Sequence, residues 1–126
     1  MMNTSALVGF VATAKPAEAK RFYQSVLGLT LLEDGPHAFV FDSNGTPLRV
    51  QKVQTVSAPN YTALGWNVSD INGLVQDLSA RGVVFERYPG LSQDPAGIWR
   101  TRDGSGVAWF RDPHGNTLSL TERAPR

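Results

Sequence analysis

Residues 61–83, YTALGWNVSDINGLVQDLSARGV, hold a β-like run, a helix start signal, an amphipathic stripe and a glycine stop in one short window. Ile71, Leu74, Val75 and Leu78 recur at the three-and-four spacing of a single helical face. Ser69 stands where a capping hydroxyl is favoured, and Gly82 can take the left-handed conformation that ends a helix. The spacing predicts a helix over 69–82, with Gly73 a mild weakness inside it.

The same design stands earlier in the chain, in residues 6–28, ALVGFVATAKPAEAKRFYQSVLG. Here Pro16 suits the first helical position, Ala19, Phe22, Tyr23, Val26 and Leu27 form the apolar face, and Gly28 ends the segment, so a helix is predicted over 15–28. Each helix is followed by a strand opening on its terminating glycine, GLTLLE and GVVFE. Each half then closes with two apolar stretches around a turn: HAFVFDSNGTPLRVQKV around Asn44-Gly45, and GVAWFRDPHGNTLSLTE around the DPHGN turn. Both halves therefore read strand, helix, strand, strand, strand. The expected fold class is α+β, a single domain of two βαβββ modules at about residues 5–53 and 61–122, joined by a connector at about 54–60.

The second half carries an insertion, RYPGLSQDPAGIWRTRDGSG, rich in Gly and Pro. Long structureless loops in a small domain are usually functional, so this one is a candidate lid. One helix covers only one face of a small sheet. The other faces are expected to turn toward each other and enclose a shared concavity suited to a small molecule.

Composition narrows the function. With 126 residues, 41% apolar and 18% charged, the chain is long enough for one domain with a real core and is not of the disordered class. A net charge of +1 with scattered Lys and Arg gives no field for nucleic acid or an acidic membrane. The absence of cysteine excludes disulfides, thiolate nucleophiles and Cys-type zinc sites. No basic segment precedes the short N-terminal apolar run, so a cytoplasmic location is expected. There is no GxSxG elbow, GxGxxG or Walker loop, and no readable pairing of carboxylates.

Three fragments, AKRFYQSVLGL, GWNVSDINGLVQDLSARGV and AWFRDPHGNTLSL, together resemble the vicinal oxygen chelate superfamily of glyoxalases, bleomycin-resistance proteins and extradiol dioxygenases. The resemblance covers nearly the whole chain. It implies two modules packed side by side as a cup-shaped half-barrel, often as a homodimer, with a cleft for a divalent metal or an organic ligand. In the metal-dependent members, the first and last strand of each module supply the ligands. Here those positions fall on Val8, Arg49, Ala63 and Ser119, the last standing where those enzymes carry glutamate. An alkyl chain, a guanidinium, a methyl and a hydroxyl are a poor donor set for a divalent ion. No metal and no other cofactor is therefore expected.

The two histidines, His37 and His114, lie beside turns and are read as surface residues, and Glu122 alternates to the face opposite Ser119. Strand alternation sends Phe10, Ala12, Gln51, Gly65, Asn67 and Thr121 to the same side as the four positions, and Leu64 and Trp66 to the helix side. The ligand-binding candidates are Phe10, Phe39, Arg49, Gln51, Asn67, Trp99 and Ser119. Arg49 has two readings: it orients an anionic or carbonyl ligand in place of a metal, or it meets an internal acid such as Glu122 or Asp42 or lies partly exposed at the sheet edge. Trp99 either stacks on a ligand or pins its loop, and Trp66 and Trp109 are read as core. The expected function is metal-independent binding of a small aromatic or acidic organic molecule. The alternatives are a metal-dependent lyase or dioxygenase with other ligands, and a scaffold whose cleft is vestigial.

Overall fold

The computed structural model describes residues 1–125 and divides into two compact units, Met1–Ala58 and a second beginning at Pro59. The first contains β1 (Gly9–Thr13), α1 (Pro16–Arg21), β2 (Thr30–Asp34), β3 (Ala38–Ser43) and β4 (Thr46–Lys52). The second contains β5 (Thr62–Asn67), α2 (Ile71–Ala80), β6 (Trp99–Arg100), β7 (Gly106–Arg111) and β8 (Thr117–Glu122). The sheet orders are β1-β4-β3-β2 and β5-β8-β7-β6. In each sheet the first and last strands of the unit lie parallel, β1 against β4 and β5 against β8, and the remaining pairs are antiparallel. These are the two βαβββ modules that the repeated pattern predicts.

In the first unit α1 starts at Pro16, as expected, but gives way to a π-helical turn over Phe22–Val26, closed by the Leu27 N–H to the Phe22 carbonyl at 2.9 Å. Within it Tyr23 is fully buried and its ring lies 5.8 Å from that of Phe41. Val11, Leu48, Val50, Phe39 and Phe41 complete this core, and truncating a buried Phe such as Phe41 costs about 3–5 kcal/mol. Gly28 takes φ 76°, which a β-carbon would disfavour, and so ends the helix.

In the second unit α2 starts two residues later than predicted. The cap is Asp70, not Ser69: its Oδ1 accepts the Gly73 N–H at 3.1 Å, because a carboxylate there also meets the positive end of the helix dipole. Glu122 Oε1 accepts the Ile71 N–H at 2.9 Å from the end of β8, which gives that acid the structural role its alternation implies. Ile71, Val75 and Leu78 pack with Ala108, Phe110, Leu118 and Leu120, all buried.

The expected strand at GVVFE is reduced to a single bridge, Phe85 to Phe110, with the Glu86 N–H on the Trp109 carbonyl. The other half of the same β7 edge pairs with β6, so the insertion interrupts an edge strand and leaves it in two short pieces. The intervening residues are not structureless. Gln93 Nε2 donates to the carbonyls of Glu86 and Gly97, and its Oε1 accepts the Tyr88 N–H. The Arg87 guanidinium donates to the carbonyls of Gln93, Asp94 and Pro95, while Asp94 Oδ1 accepts the N–H groups of Ala96 and Ile98. A loop so fully hydrogen-bonded is a fixed flap, which corrects the expectation of a structureless lid.

Candidate functional site

The sheet face away from α2 is built row by row from cross-strand partners. One row runs Asn67, Thr121, Val107, Trp99 across all four strands; the next runs Gly65, Ser119, Trp109. Side chains two apart on a strand share a face, so Thr117, Ser119 and Thr121 form a column of three hydroxyls along β8. Trp99 and Trp109 stand beside that column, stacked with centroids 6.3 Å apart, and Tyr88 meets Trp109 edge-on at 5.4 Å. Trp99 is held in β6 and leans on a second indole, so it pins the flap and also presents an aromatic wall. Trp109, expected in the core, is half-buried on this face, while Trp66 lies on the helix side beside Leu120 and is only half-buried.

Two details define the hydroxyl column. A β-carbon at Gly65 would lie 2.7 Å from Ser119 Oγ, so the serine hydroxyl occupies the space that this glycine leaves. Ser119 itself is only 8% exposed. Thr117 Oγ1 is buried with no hydrogen-bond partner, which leaves a donor and acceptor unsatisfied on this face. Next to Asn67, Val107 and Thr121 the surface sinks into a hollow of about 590 Å³, whose far side is the β6–β7 turn with Arg102 and Asp103. Hydrogen bonds from the Thr101 hydroxyl and the Ser105 N–H hold the Asp103 carboxyl down at about 2. Burial pushes the Tyr88 phenol up, with Glu86 adding to the effect.

In the first unit the face away from α1 carries Phe10, Arg49 and Val40 in one row, and Ala12, Gln51 and Ala38 in the next. Phe10 is 51% exposed, Gln51 is exposed and Arg49 is half-buried. Among the described residues Arg49 has no hydrogen bond and no ion pair. Within its own unit Arg49 does not meet Asp42, whose Oδ1 accepts the Gly45 N–H, and its half-buried state matches the reading of partial exposure on the sheet.

Phe39 requires a correction. It pairs with Val50, is 3% exposed and contacts Phe41, with Lys52 Nζ 4.2 Å over its ring, so it belongs to the core under α1 and not to a ligand-binding face. Register decides this: Val40, not Phe39, is the neighbour of Arg49. Of the other candidates, the structure brings Asn67, Trp99 and Ser119 together on the second sheet, and Phe10, Arg49 and Gln51 together on the first. Sequence reasoning missed Thr117, Tyr88, Arg102 and Arg123, which lie at strand ends and turns where no periodic signal marks them.

The metal positions keep the chemistry read from the sequence. Val8 and Ala63 are exposed and offer no donor, Arg49 is cationic, and Ser119 supplies only a hydroxyl against Gly65. Among the described residues no three His, Asp or Glu side chains come together as a metal-holding group. His37 is exposed, and His114 is half-buried in a turn fixed by Asp112, whose Oδ1 accepts the N–H groups of His114 and Asn116. These residues do not fit a divalent ion.

Residues 6–120 match the model of the Glyoxalase/Bleomycin resistance protein/Dioxygenase superfamily. The chain belongs to that superfamily. Solved structures with the same fold include a lactoylglutathione lyase from Agrobacterium tumefaciens, with TM-score 0.74, 18% identity, and 94% of this chain and 93% of that one covered. A superfamily member from Sphaerobacter thermophilus has TM-score 0.71 and 21% identity over 98% of this chain and 100% of the other. The fosfomycin resistance protein FosX from Listeria monocytogenes has TM-score 0.73 and 11% identity over 93% and 89%. No curated protein matches the sequence. Among the described residues no helix is long and apolar enough to cross a membrane.

Proposed function

We propose that this superfamily member is a metal-independent binding protein for a small aromatic or acidic organic molecule, which it holds on the sheet face of the second unit. The observation that carries the reading is the pairing of the Trp99–Trp109 wall with the hydroxyl column of β8. Aromatic surface beside a few hydrogen-bonding groups is the usual make-up of a small-molecule site. The donor-poor residues at the four metal positions support the metal-independent part of the reading.

We further infer a cytoplasmic homodimer with neither a nucleic-acid nor a membrane partner. Two sheets with open outer strands favour pairing between copies, and the net charge of +1 favours no polyanion. Light scattering on the purified chain checks the dimer.

The functional reading is tested by screening aromatic acids and neutral aromatics for quenching of tryptophan fluorescence, alongside elemental analysis of protein purified without chelator. Saturable quenching and less than stoichiometric metal are expected. Stoichiometric Ni, Zn, Mn or Fe would favour the lyase or dioxygenase reading instead.

A further inference from the structure

The hollow beside Thr121 contains two cations and one anion, and their arrangement has a chemical meaning of its own. Arg102 comes from the β6–β7 turn and Arg123 follows the end of β8; both line the hollow and both are exposed. Among the described residues neither guanidinium has an ion-pair or hydrogen-bond partner. Every other described arginine of the second unit does: Arg81 meets Asp77, Arg87 the flap carbonyls, Arg100 Glu122 and Asn72, and Arg111 Glu86. The one acid of the hollow, Asp103, is engaged by the Thr101 hydroxyl and the Ser105 N–H within its own turn. Two guanidinia beside one tied carboxylate leave one net positive charge, together with the side chains of Asn67 and Thr121, facing a space of about 590 Å³.

We propose that this hollow is a subsite for the oxyanion headgroup of an aromatic acid, a carboxylate or a phosphonate, gripped by Arg102 and Arg123. A guanidinium keeps its proton at any working pH and offers N–H groups in a planar fork that matches such headgroups. The rest of the ligand has a path. Val107 lines the hollow and is the cross-strand neighbour of Trp99, which stacks on Trp109, so a ring attached to the headgroup runs from Val107 onto the indoles. The ring part of this proposal rests on the function proposed above; the headgroup part stands without it.

The test is NMR titration of the full-length, ¹⁵N-labelled protein with phenylphosphonate, benzoate, inorganic phosphate and benzyl alcohol. Phenylphosphonate or benzoate is expected to shift the Nε–H signals of Arg102 and Arg123 together with the indole N–H signals of Trp99 and Trp109. Because both arginines are exposed, R102Q/R123Q should keep the native spectrum and weaken binding of the acid about tenfold, with benzyl alcohol unaffected. Added salt should weaken the acid in the same direction. Unmoved arginine signals, or equal affinity in R102Q/R123Q, would overturn the subsite. If the indoles respond while the arginines do not, only the headgroup subsite fails. If inorganic phosphate moves the arginines but no aromatic probe moves the indoles, the subsite holds and the broader binding reading fails.

Discussion

Gly65 and Ser119 show how narrowly single residues shape this face. A methyl at position 65 would meet the Ser119 hydroxyl at 2.7 Å and force that side chain to turn away, so Gly65→Ala is expected to lower stability by about 0.5–1.5 kcal/mol in chemical denaturation, and S119A in the same chain should recover most of the loss. Failure of S119A to rescue would mean that the backbone, not the hydroxyl, takes up the strain. Asp103 makes a prediction in pH. Its folded carboxyl is held at about 2, below the ordinary 3.8, so its contribution to stability is present above about pH 4 and is lost as pH falls toward 2. D103N should flatten the melting temperature over that acid window and leave its pH dependence near neutrality unchanged. At this scale strand alternation alone correctly assigned the side for Gln51, Asn67 and Ser119, because period two is local. It could not place Phe39, whose side depends on the register of β3 against β4, a non-local fact. Arg102 and Arg123 carry no periodic mark at all.

The flap is an element that the sequence located but did not describe. Its Gly and Pro content signals a loop, yet the order comes from Gln93, a residue that looks unremarkable in the chain and makes three hydrogen bonds to backbone groups. Gln93→Ala removes all three partners in a part-buried setting. A loss of about 2 kcal/mol is expected, with faster amide exchange confined to residues 86–98 and a change in Trp99 emission. Uniform exchange across the second unit would show that the flap is not a separate element. The helix ends were legible to within two residues, and the difference at α2 is chemical: Asp70, one residue past Ser69, supplies the cap by accepting the Gly73 N–H. D70A should cost about 1 kcal/mol, while S69A should be nearly silent. The missing strand at GVVFE could not be read from its own residues, because its partner edge is shared with Trp99 and Arg100 further along the chain.

For the whole molecule, the duplicated pattern was the most legible feature, since two copies of strand, helix and three strands reinforce one reading and both appear as four-stranded sheets with one parallel pair. Function was less legible. Fold membership allows both a metal centre and an organic ligand, and only the side chains can choose between them. Here Val8, Arg49, Ala63 and Ser119 argue against the ion, and the indole pair beside three hydroxyls argues for a carbon-rich guest. The most direct measurement is the affinity of an aromatic probe for the protein, read from tryptophan quenching, before and after exhaustive dialysis against EDTA and after adding back Ni, Zn, Mn or Fe. Metal-independent binding predicts one dissociation constant throughout; binding that disappears with the chelator and returns with one of those ions would contradict it.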